Sequence, residues 1–253
     1  MSIKIKYQWR ITKYNPVYRN EHGGYTIESE WTSSSDIGKN IDGEILTLEG
    51  YLKIETAYID TIMKFLQVNQ IDFVRILKVT YIDGNKNSIL YDKDIETLQL
   101  QDDCEVPASQ IPLLAKMTLR EFIHCDFMTE DFFVHFGYDY YMYIGSNHYD
   151  EEPLEFAEAQ GLFVEEMISA YYVEEKDIIR SVIWIELGNS IIVDEELLPN
   201  IELDEYRKAL HLSYIHPVTG VFPITPNNQD FFQSKINHQI DFTKYEYYLA
   251  STT

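Results

Sequence analysis

The sequence predicts an α+β fold: mostly antiparallel sheets with a few packed helices, arranged as two sheet-centred subdomains. Three observations predict it. Apolar residues alternate with polar ones, or run in β-branched blocks, in many short segments along all 253 residues, as strands require. Helical spacing is confined to a few stretches. Turn pairs such as Asp83-Gly84 and Gly188-Asn189 join neighbouring runs, which makes those strands antiparallel.

The elements follow in order. Ile3, Ile5, Tyr7, Trp9 and Ile11 alternate with Lys4, Lys6, Gln8, Arg10 and Thr12, the pattern of a half-buried strand. Residues 15–43 are rich in Gly, Ser, Asn and Pro and read as irregular surface. Thr47 is placed to cap a helix running to Gln67, with Leu48, Leu52, Ile59, Ile62 and Leu66 near one face and Glu49, Lys53, Thr56, Asp60 and Lys64 outside. The run FVRILKVTYI then gives a strand, and Asp83-Gly84-Asn85 a hairpin turn into Ser88–Tyr91. The polar stretch at Gln101-Asp102-Asp103, before Pro107, is the expected boundary, dividing the chain into an α+β unit at 1–105 and an acidic, sheet-rich unit at 106–253.

Within the second unit, Leu119–Phe127, Phe132–Phe136 and Tyr138–Ile144 read as strands, the last carrying Tyr138, Tyr140, Tyr141 and Tyr143. Asp150, Pro153 and Gly161 frame a helix. Strands resume at Phe163–Val173, Arg180–Leu187 and Ser190–Val193, and a helix near Glu202–Leu210 has acids at its start and Arg207-Lys208 at its end, as the helix dipole favours. A proline-punctuated tail closes on a strand over Ile240–Leu249.

Charge is the strongest functional signal. The chain has 20 Lys plus Arg against 42 Asp plus Glu, a formal net of -22. Residues 101–200 hold 22 of the acids and 4 of the bases, whereas the flanking segments are nearly balanced. Such a field repels phosphate backbones and anionic lipid, so direct nucleic-acid binding and membrane binding are not expected. It favours a basic protein partner, because complementary fields speed encounter; solubility alone is the plainer explanation of the same charge. No apolar run approaches the roughly 20 residues that span a bilayer, and the opening residues lack a signal-peptide core, so the expected location is the cytoplasm. There Cys104 and Cys125 are expected to be reduced and unpaired.

Motifs for common chemistries are missing: there is no P-loop, no G-x-G-x-x-G, no G-x-S-x-G, no H-E-x-x-H and no EF-hand loop. No cofactor is implied. His124, Asp126 and His135 are weak metal candidates, since His124 and Asp126 share a strand face and a hairpin can bring His135 near; Cys125 points the other way, no spacing matches a known site, and ordinary structural use is the favoured reading of all of them. His211 and His216 lie around a Pro217–Gly220 turn that needs no catalytic explanation.

Carboxylates are what the chain has in abundance. Glu151, Glu155 and Glu158 fall at i, i+4 and i+7 on one helix stripe, with Glu152 beside them. Together with Glu165, Glu166, Glu174, Glu175 and Asp177 they form the expected surface for lysines and arginines of a partner. The leading expectation is a non-catalytic acidic protein that binds and neutralises a basic protein, such as a toxin immunity protein or a phage-encoded inhibitor of a nucleic-acid-binding defence protein. The alternatives are an enzyme with a histidine and carboxylate site in the second unit, or an oligomeric scaffold using the tyrosine-rich strands.

Overall fold

Residues 4–252, apart from 28, 83, 85, 173, 174, 176, 177, 189 and 190, are described by a computed structural model. Among them are 13 strands and 5 helices, in antiparallel sheets: an α+β fold. Contacts divide the chain into one unit at Lys4–Tyr171 and another formed mainly by Tyr172–Thr253.

The larger unit is built on seven antiparallel strands. In chain order these are β1 (Tyr7–Thr12), β4 (Phe73–Tyr81), β5 (Cys104–Pro107), β6 (Ile123–Met128), β7 (Phe132–Phe136), β8 (Met142–Ser146) and β9 (Phe163–Glu166); the short pair β2 (Asn40–Ile41) and β3 (Glu44–Ile45) stands apart. Their order across the sheet is β5-β4-β6-β7-β8-β1-β9. Because β5 pairs with β4, and β4 with β6, the sheet runs straight through the boundary expected at residue 105. The polar residues there form a tight connection within one unit.

Helix α1 (Leu48–Val68) starts where Thr47 accepts a hydrogen bond from the Gly50 N–H. Its buried face is turned from the expected one: Tyr51, Tyr58, Ile62 and Phe65 are inside, while Leu48, Leu52 and Ile59 are half-buried. Tyrosines were available to fill the core because their hydroxyls find internal partners. Helix α2 (Ile111–Leu119), which periodicity does not reveal, buries six of its nine residues and adds to the same core. Residues 88–91 form turns instead of the return strand of a hairpin, and β4 takes its partners from later in the chain; residues 83 and 85 of the expected turn lie outside the described residues.

The strand β1 is buried on both faces. Trp9 and Ile11 enter the core, and Gln8, Arg10 and Thr12, expected in solvent, are buried too. The reason is a polar row across the second face: register aligns Glu165, Arg10, Tyr143 and His135 on successive strands. The segment after β9 folds over it, with the Met167 N–H donating to the Gln8 carbonyl and the Ser169 N–H to Gln8 Oε1.

The smaller unit orders its strands β11-β10-β13-β12, where β10 is Ile179–Glu186, β11 Ile192–Leu197, β12 Val221–Ile224 and β13 Tyr245–Thr252. Helices α4 (Leu203–Leu210) and α5 (Gln229–Gln233) cover one face, so that Tyr206 and Phe232 join Val182, Trp184, Tyr247 and Leu249 in a separate core. Residues 189 and 190, where the sequence predicts the Gly188-Asn189 turn and the start of the next strand, lie outside the described residues. Among the described residues no helix is long and apolar enough to cross a membrane.

Candidate functional site

The acidic helix is α3 (Glu152–Ala159). Asp150 supports its first turn by accepting from the Glu152 N–H at 2.8 Å, and Pro153 occupies a position where no N–H is needed. Pro153 and Ala157, four apart, are the buried residues. This places the carboxylates of Glu151, Glu155 and Glu158 in solvent. None of the three takes part in an ion pair within the described residues. Glu152 differs, because Lys64 of α1 pairs with it.

Gly161 ends the helix with a left-handed turn (φ 87°) that leads into β9. This strand lies at the edge of the seven-stranded sheet, so its outer backbone groups are unpaired within the sheet. Glu166 registers with Trp9. Since cross-strand partners point to the same face, Glu166 lies on the helix-covered side with α3. It is exposed and, among the described residues, without an ion-pair partner, and Met167 and Ile168 follow it, also exposed. An acidic helix, an open strand edge and two exposed apolar side chains are therefore contiguous in the chain.

The other acids expected at a partner surface divide sharply. Glu165, on the opposite face from Glu166, accepts from Arg10 through two bonds, at 3.1 and 2.8 Å, and from Arg19 Nε at 3.1 Å. Two guanidiniums already compensate it. Glu175 is 4 % exposed and is a structural hub: Oε2 accepts from Arg207 at 2.7 Å and Oε1 from the Val218 N–H at 2.6 Å. Glu175 therefore lies inside the smaller unit, and the half-buried Glu165 presents a carboxylate already paired within the fold. Glu174 and Asp177 lie outside the described residues.

The histidine candidates are also separated. His135 and Asp126 come close on the second face, where burial lowers the imidazole to about 4 although the Asp126 carboxylate pulls the other way. His135 Nδ1 lies 2.9 Å from Ser169 Oγ, and its ring stacks on Phe133 with centroids 4.1 Å apart. Asp126 is bound to Lys78 at 2.9 Å; β4 is irregular here, with Lys78 at φ 57°, and this exposed lysine reaches the buried carboxylate. Serine, histidine and aspartate thus meet, but each is less than a tenth exposed, and the serine belongs to the segment after β9 that folds over this face. A neutral, sealed histidine whose Nδ1 is engaged by the serine has no access to a substrate. His124 instead lines a cavity that includes neither His135 nor Asp126. Among the described residues no three His, Cys, Asp or Glu side chains are placed to hold a metal ion.

His211 is the left-handed cap of α4 (φ 58°), whereas His216 is buried with Nδ1 2.8 Å from the Pro217 carbonyl. Both have structural surroundings. Sequence spacing found the α3 stripe but not Lys64 as a neutralising partner, since that residue is 88 positions away from Glu152.

A family model described as a domain of unknown function, DUF7683, matches residues 179–250, the stretch from β10 into β13. No curated protein and no solved structure matches the chain.

Proposed function

We propose that this is a non-catalytic acidic protein that binds and neutralises a basic protein, with α3 and the adjoining edge strand β9 as its contact surface. The observation that carries the reading is the uncompensated exposure of Glu151, Glu155, Glu158 and Glu166. No Lys or Arg occurs between Arg120 and Lys176, so nothing from this part of the chain screens them. Charges so placed raise the local concentration of a cationic partner and accelerate docking, by about ten- to a thousandfold in well-steered pairs. The open edge of β9 offers main-chain groups for an added strand, and Met167 and Ile168 offer apolar area beside it. Neutralisation of a toxin, or occupation of a phosphate-binding surface on a nucleic-acid-binding protein, is the class of activity this chemistry suits. The sealed surroundings of His135, Asp126 and Ser169 give the enzymatic alternative no comparable support.

The test is capture from the native host at low and at high salt, followed by kinetics with the purified basic partner. A chain carrying Glu151→Lys, Glu155→Lys and Glu158→Lys is expected to fold normally and to associate roughly tenfold or more slowly, with a weaker salt dependence. Unchanged association would remove α3 from the interface.

A further inference from the structure

The larger unit holds a cavity of about 550 Å³ where β7 turns into β8, within the roughly 300–1,000 Å³ that small ligands occupy. Five tyrosines line it: Tyr58, Tyr138, Tyr140, Tyr141 and Tyr171. The floor is buried, with Tyr58 and Tyr140 at 0 % and 6 % exposure, and Tyr138 stands at the rim, 85 % exposed. The hydroxyls of the floor are already committed: Tyr58 donates to the Tyr140 carbonyl at 2.6 Å and Tyr140 to the Tyr51 hydroxyl at 2.7 Å. What these two residues offer a guest is ring surface.

Backbone strain is concentrated at the same place. Of the non-glycine residues with positive φ, Glu121 (61°), Asp139 (56°) and Tyr140 (61°) all line this cavity. For a residue as bulky as tyrosine that conformation is strained and persists only where its surroundings enforce it. Here a chain of bonds does so, from Tyr140 to Tyr51, from Tyr51 to Glu55, and from Glu55 to the guanidinium of Arg120.

Among the described residues, the Asp, Glu, Lys and Arg side chains that line the cavity are two, both acidic: Glu121 and Asp139, exposed at the rim. The Tyr141 ring is also approached by Arg19, at 5.2 Å from its centre. The nearby ammonium of Lys13, which feels Asp139, is engaged by Glu30 and lies 4.2 Å from the ring centres of both Tyr14 and Trp31. The fold therefore already holds one cation between aromatic rings beside this cavity.

The geometry points to a binding site for a small organic cation: an ammonium or guanidinium head on an apolar body. The body occupies the tyrosine-walled floor, and the head rests among the rim rings and the carboxylates of Asp139 and Glu121. Aromatic faces and carboxylates both attract a poorly hydrated cation, and the same groups repel anions. The site is independent of α3.

The experiment titrates the purified full-length chain with benzyltrimethylammonium and, separately, with benzyl alcohol, at fixed ionic strength, by calorimetry and by tyrosine ring NMR signals. Saturable binding of one benzyltrimethylammonium per chain is expected, with benzyl alcohol weaker by roughly tenfold or more. Asp139→Asn keeps a residue tolerant of positive φ, and Tyr138→Ala alters an exposed ring, so both variants should fold with unchanged melting temperature. Each is expected to weaken the cation by about three- to tenfold, whereas the triple α3 reversal leaves it unaltered. Lack of saturation, equal binding of the neutral compound, or undiminished binding in the Asp139→Asn, Tyr138→Ala double variant would overturn the assignment.

Discussion

Replacing Glu175 by alanine separates the carboxylates that hold the fold from those that face outward. The side chain is 4 % exposed, and its two oxygens accept from Arg207 at 2.7 Å and from the Val218 N–H at 2.6 Å. Arg207 is buried as well, and its Nε is committed to the His216 carbonyl at 2.9 Å. Truncation removes a carboxylate that pairs with that buried guanidinium at 2.7 Å, and it strands the Val218 N–H. Breaking a buried pair from one side costs about 3–5 kcal/mol. A unit of this size, about 80 residues, has a stability of roughly 4–12 kcal/mol, so the variant loses about a quarter of it or more. Urea unfolding followed by fluorescence measures the loss, with Trp184 in the core of this unit as the reporter. Glu155→Ala on the surface of α3 is the control and should fall within about 0.5 kcal/mol of the parent. If the two variants unfold together, the Glu175 network does not hold the smaller unit.

Three further outcomes follow from the larger unit. Burial holds His135 at about 4, below its unfolded value of about 6.5, so the unfolded chain takes up the proton first as pH falls. Stability should therefore decline between about pH 6.5 and 4, by up to about 3 kcal/mol from this residue, and His135→Gln should flatten that part of the curve of urea midpoint against pH; an unaltered slope would contradict it. Burial also drives the Cys125 thiol up to about 12, so at pH 8 a thiol reagent should label half-buried Cys104 first and Cys125 only on unfolding, as read by peptide mass spectrometry. Finally, a Cβ on Gly145 would lie 2.2 Å from the Phe133 ring, so Gly145→Ala should destabilise by about 1–3 kcal/mol, with Phe133→Leu in the same chain restoring most of it if the ring is the obstacle.

How far the sequence reveals this molecule depends on the distance between partners. The helix α1 was legible because Thr47 and the spacing after it are local signals. Helix α2 was not, because Ile111–Leu119 is apolar on nearly every side and so lacks the polar half of a helical pattern. Alternation in β1 correctly separates two faces, yet it cannot distinguish a polar side chain in water from one in a buried network. Arg10 is buried because Glu165, 155 positions later, meets it. Likewise the seven-stranded sheet hides its continuity: β4 is joined to β6 across the stretch that looked like a boundary.

The same distinction governs the acidic surface. Glu151, Glu155 and Glu158 could be grouped from the sequence because a single helix sets their spacing, and they remain uncompensated in the fold. Glu165 and Glu175 carry identical formal charges, but each is met by guanidinium from distant positions. Net charge therefore overstates the part of the chain that can act on a partner. A carboxylate held by arginine contributes little field beyond its immediate surroundings, whereas an unpaired one on α3 acts across about 10 Å at 0.1 M salt. Salt should consequently weaken partner capture through the α3 residues while leaving the Glu165 and Glu175 networks, and with them the folded units, intact. A salt concentration that releases the partner only by unfolding the protein would instead place the buried pairs, not α3, at the root of binding.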